Sequence, residues 1–205
     1  MVMKVLKFGM PVVLIGFVVW LVFGPAIGVG YSPEQPVPYS HALHAGNKMI
    51  PDPANPGKMR KGLNIDCQYC HTGVAVSKKA GIPSMNICMN CHNSIKRFEE
   101  PVKKFAEDYT KRKKGIEWIR VHNMPDHVRF AHAPHIRVLL KKGQPTKSAC
   151  VKCHGKVEDM EVVEQVKSLN MGFCVNCHRD YSKKHLKDSI GNKIDPKISC
   201  ATCHF

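Results

Sequence analysis

Hydrophobic positions are spread unevenly along the chain. Residues 8–33 contain no charged side chain and are mostly apolar. An uncharged run of that length is enough for a helix to cross a bilayer, so the pattern predicts one N-terminal transmembrane helix within residues 1–30. Lys4 and Lys7 precede the run, and basic residues tend to stay on the cytoplasmic side of a span. The N-terminus is therefore expected in the cytoplasm, with the remainder on the periplasmic, extracytoplasmic side of the cell membrane. The run is longer than the apolar part of a signal peptide and has no clear A-x-A site, which favours retention over cleavage.

Past this point apolar periodicity weakens. Residues 31–40, YSPEQPVPYS, predict an extended, proline-rich linker. Residues 51–62 read as a polar loop. Ile95, Phe98, Val102, Phe105 and Tyr109 step by three and four and predict an amphipathic helix, with Pro101 suited to a first turn. Residues 157–169 predict another, with Met160, Val163 and Val166 on one face.

Composition alone makes this a poor candidate for a conventional core, since aromatic residues are only 7% of the 205. The cysteines change that picture. All ten lie in five copies of C-x-x-C-H: Cys67, Cys70 and His71; Cys88, Cys91 and His92; Cys150, Cys153 and His154; Cys174, Cys177 and His178; Cys200, Cys203 and His204. This spacing is the attachment signature of c-type haem. Two thiols with two residues between them can each bond one haem vinyl group, and the next side chain then lies beneath the iron as an axial imidazole. Zinc sites and redox or structural disulfides also use paired cysteines. None of them explains a histidine directly after every pair. Five covalent haems (heme c) are expected, and they would supply the apolar mass that the sequence lacks. The fold class follows: a mostly irregular chain with small helices, wrapped around its cofactors.

The formal net charge is +15, a balance often associated with nucleic acid. No nucleic-acid motif accompanies it. Haem propionates would offset much of the excess, so no nucleic-acid partner is expected.

An internal repeat organises the motifs. H-x-x-H followed by two C-x-x-C-H motifs occurs at His41 and His44, then again at His132 and His135. An aromatic residue stands two positions before each H-x-x-H (Tyr39, Phe130), and a methionine three before each second cysteine pair (Met85, Met171). The domain expected over 41–205 divides into repeat one (41–92), a connecting helical segment (93–121), repeat two (122–178) and a fifth haem (179–205). A low-spin electron-transfer haem needs a second axial ligand. His41, His44, His122, His132 and His135 are the candidates, since side chains three apart on a short helix point the same way and can serve adjacent haems. His127 and His185 read as surface residues. Met85 and Met171 are alternative ligands, or packing against a porphyrin face.

The segments YSHALH, GLNIDCQYCHTGV, GIPSMNICMNCH, VHNMPDHVRFAHAPH, CVKCHGKVEDMEVVEQVKSLNMGFCVNCHR and CATCH resemble the pentahaem cytochrome c subunit of bacterial alternative complex III. The resemblance covers nearly all the chain after the linker. It implies a subunit of a respiratory or photosynthetic quinol:electron-acceptor oxidoreductase. Its partners would be integral-membrane quinol-binding subunits, an iron–sulfur subunit, membrane lipid, and a periplasmic acceptor such as a monohaem cytochrome c. With both axial positions of every iron filled, conduction is expected and no independent catalytic site. A membrane-anchored multihaem quinol dehydrogenase passing electrons to a periplasmic reductase is the alternative. Multihaem nitrite reductases attach one haem through a motif ending in lysine, which is missing here.

Overall fold

The computed structural model describes residues 13–20, 28–94, 106–109, 111, 115–184, 187, 188 and 191–204. Its elements in chain order are α1 (His41–His44), β1 (Met49–Pro51), β2 (Met59–Lys61), α2 (Cys67–Cys70), α3 (Met85–His92), α4 (His132–Leu139), α5 (Lys147–His154), a 3-10 turn (Val157–Asp159), α6 (Met171–Lys183) and α7 (Cys200–Cys203). Short polar residues start several of them by capping a free backbone N–H. Leu43 N–H donates to Ser40 Oγ at 3.0 Å, Gln68 N–H to Asp66 Oδ1 at 2.9 Å, and Phe173 N–H to Asn170 Oδ1 at 2.8 Å.

The polar stretch 51–62 turns back as a hairpin: β1 and β2 pair antiparallel, with Ile50 opposite Arg60. The Asp52 carboxylate holds the turn, accepting from Ala54 N–H at 3.0 Å and from Asn55 Nδ2 at 2.7 Å.

Residues 157–169 do not form the expected helix. After the 3-10 turn the chain runs extended beside the linker. Gly30 N–H donates to Gln165 O at 2.8 Å, Gln165 N–H to Tyr31 O at 3.0 Å, and Ser32 Oγ–H to Val163 O at 3.1 Å. Four valines in this stretch (Val157, Val162, Val163, Val166) suit an extended backbone better than a helix. The linker gains a second clamp at Gln35, whose side-chain amide exchanges two bonds with the backbone of Ile119, each of 2.9 Å. Most of the other expected helix, residues 95–105, lies outside the described residues; 106–109 are helical.

The transmembrane helix expected within residues 1–30 needs correction. Among the described residues, no helix is long and apolar enough to cross a membrane. The described part of that run, residues 13–20, is helical. By Gly28 and Gly30 the backbone is in the left-handed region (φ +63° and +81°), and Gly30 is already bonded to Gln165. The membrane-spanning topology built on that run is accordingly dropped.

The core of protein atoms is small. Among the described residues the buried apolar side chains are Ala42, Val74, Met85, Ile136 and Ala149. Val74, Ile136 and Ala149 cluster with Ala80, Leu139 and Leu140, joining the loop after α2 to α4 and α5. Among the described residues no large side chain is fully buried.

Candidate haem-binding site

Every cysteine pair lies on its own short helix: α2, α3, α5, α6 and α7. One helical turn puts residues three apart on the same side, so both thiols of a pair can meet one ring. None of the ten cysteines is in a disulfide. Burial raises the thiols of Cys70, Cys88, Cys153, Cys174 and Cys177 above the ordinary range, a titration that thioether formation would abolish.

The histidines are held by one recurring device. His44 Nδ1–H donates to Ser40 O at 2.8 Å, His71 to Gly81 O at 2.7 Å, His132 to Lys78 O at 3.0 Å, His135 to Ala131 O at 2.7 Å, and His178 to Lys197 O at 2.8 Å. A carbonyl oxygen only accepts, so Nδ1 carries the proton and Nε2 keeps its lone pair. That tautomer is the one a metal-binding imidazole needs, and such a bond fixes the ring's orientation.

The two H-x-x-H helices are set alike. Tyr39 meets His41 edge-on at 4.8 Å and stacks on His44 at 4.5 Å; Phe130 meets His132 edge-on at 4.9 Å and stacks on His135 at 4.6 Å. Across from them stand the attachment histidines. Ring centres are 6.2 Å apart for His44 and His92, 6.3 Å for His132 and His154, and 6.1 Å for His135 and His178. An imidazole nitrogen binds a first-row metal at about 2 Å, with its ring centre about 1 Å beyond. Two rings on opposite sides of one iron thus lie about 6 Å apart, and these pairs fit a haem iron. Among the described residues no group of three or more His, Cys, Asp or Glu side chains is arranged to hold a bare metal ion.

The electrostatics agree with the donor geometry. Burial, followed by the nearby His71 and His44, lowers the pKa of His41 to about 4. Burial, then His122, His132 and His71, lowers that of His154 to about 3. Burial also lowers His92, His122 and His135. Neutral imidazole is the ligating form. Among the described residues three buried side-chain polar atoms have no hydrogen-bond partner: His41 Nδ1, Trp118 Nε1 and His122 Nε2. Buried polar groups normally find a partner, so these atoms fit a site completed by a polar group such as a propionate.

Two histidines stand differently from their expected roles. His122 meets the His154 ring edge-on at 4.3 Å, too close for an iron between them. His127, expected only at the surface, is exposed but lies parallel to His204, with ring centres 5.5 Å apart. The backbone builds that pair, since Val128 bridges His204 and Arg129 N–H donates to Cys203 O at 2.7 Å. The signal available in the sequence was arithmetic: each repeat uses its own H-x-x-H, leaving the fifth motif to draw on the histidines between them. His185 lies outside the described residues. Met85 is buried at the start of α3, and Met171 is exposed at the start of α6.

No protein-family model matches the chain. It is similar to the multihaem cytochrome c subunit of the menaquinone reductase of Nitratidesulfovibrio vulgaris (strain Hildenborough), at 25% identity over 206 aligned positions, 93% of this chain and 87% of the relative. Likeness and motifs agree on a coarse class. Both point to a multihaem cytochrome c.

Proposed function

We propose that the chain is a five-haem electron relay in a quinone-linked oxidoreductase complex, with every iron held between two of its own histidines. The opposed imidazole rings about 6 Å apart carry this reading. In it the ten cysteines form thioethers, and His71, His92, His154, His178 and His204 are the proximal ligands. His44, His132, His135 and His127 face sites two, three, four and five. His41 is left for site one by the symmetry of the repeats, in which His132 faces the first motif and His135 the second. His122 becomes a buried neighbour of site three. Bound haem supplies a one-electron couple. The chain's part is to fix each ring, keep the axial imidazoles neutral, and leave no coordination position for a substrate.

Two observations support the quinone link and differ in direction. The resemblance to the pentahaem subunit of alternative complex III favours electrons leaving quinol, through iron–sulfur and membrane quinol-binding partners, towards an acceptor such as a monohaem cytochrome c. The menaquinone reductase relative favours delivery to menaquinone. Axial histidines serve either flow. Mass spectrometry of the matured chain should count five haems, and the chains that co-purify with it should oxidise a quinol or reduce menaquinone. A chain that carries no covalent haem, or a complex that does neither reaction, refutes the reading.

A further inference from the structure

We infer that the five attachment sites are threaded in space in the order two, one, three, four, five, so that sites two and five are the ends of the relay. The inference rests on the five-haem reading and adds the path that reading leaves open.

Sites one and two are joined at both faces. The four residues of α1 carry His41 and His44, and Ile65 N–H, just before α2, donates to His44 O at 2.9 Å. On the cysteine side, Asn90 Nδ2 of α3 reaches Tyr69 Oη of α2 at 3.5 Å, and Cys70 lies near Cys88 and Cys91.

Sites one and three form the bridge between repeats. The loop after the first motif docks on the helix bearing His132: His132 N–H and Nδ1–H both donate to Lys78 O at 3.0 Å, and Ala133 N–H donates to Ser77 O at 3.1 Å. Val74 of that loop packs with Ile136 and Ala149. Beside this contact the thiols of Cys67 and Cys150 meet. The second repeat therefore joins the first through site one, out of sequence order.

Sites three and four share α4, since His132 faces His154 and His135 faces His178. Cys153 lies near Cys174 and Cys177. Site four meets site five where His178 Nδ1–H donates to Lys197 O, shortly before Cys200, and where Cys174 lies near Cys203.

Electron paramagnetic resonance on the matured full-length chain tests the order. Each ferric signal is first assigned by the variant that replaces its distal histidine with alanine. His132→Met then raises the potential of site three, so that it is reduced and silent while the rest stay ferric. Sites one and four are expected to lose the coupling that comes from site three while keeping their coupling to sites two and five, whose own signals stay unchanged. His44→Met, silencing site two, should change site one alone. A signal changed at two sites in His44→Met, or left unchanged at site one in His132→Met, overturns the order. If His132→Met does not mature, His135→Met reads the same order from site four, where only sites three and five should change. Fewer than five haems by mass overturns the five-haem reading itself; five haems with another coupling pattern overturns the order alone.

Discussion

His44 shows how one side chain is prepared for a metal. Its Nδ1–H is tied to Ser40 O, its ring lies on Tyr39, and its free edge looks across 6.2 Å to His92. Replacing His44 with alanine should convert one haem from low to high spin, read from the optical and resonance spectra. His127 and His122 give a sharper pair. His127→Ala should produce a high-spin fifth haem. His122→Ala should leave all five low-spin, because its ring lies against His154, with no room for an iron between them. The five C-x-x-C-H motifs were legible in the sequence because cysteine and histidine spacing within a motif is local. The placing of His127 beside His204 was not. It depends on residues 127–129 meeting residues 203 and 204, a pairing that no local pattern encodes.

A four-residue helix is far too short to be stable alone, so α1 owes its existence to its neighbours. Ala42 N–H donates to Met160 O at 3.0 Å, and Leu63 N–H donates to Leu43 O at 2.8 Å. Two glycines permit that closeness: a Cβ on Gly46 would collide with the backbone oxygens of Ala42 and Glu158, and one on Gly62 with that of Gly46. Gly46→Ala should destabilise the matured protein by about 1–3 kcal/mol, the usual cost of overfilling a tight site, measured as a lower midpoint in denaturant. Phe130→Ala should loosen both His132 and His135, since one ring braces both. Shifted potentials at sites three and four, with site two unmoved, are the expected readout. The duplicated H-x-x-H with its preceding aromatic was readable as a repeat. The extended course of residues 160–170 was not, because its partner is the linker more than a hundred residues upstream.

At the scale of the whole molecule, the described residues bury few apolar side chains and fully bury no large one, which suits the proposed haems as the rest of the interior. Sparse aromatic content signalled this in the sequence. The apolar N-terminal run was equally visible, yet among the described residues no helix is long and apolar enough to cross a membrane. If every iron has two histidine ligands, carbon monoxide added to the reduced, intact protein should leave the spectrum unchanged; a bound adduct would reveal an open coordination position and an enzyme.

The pairing of residues 127–129 with the fifth motif also has a meaning in time. Residues 200–204 are synthesised after the other four motifs, yet they hold a segment from the middle of the chain. Closure on that side must wait for them. Until they arrive, residues 127–129 lack the partners that hold them, so this side of the fold is the last that the growing chain can complete.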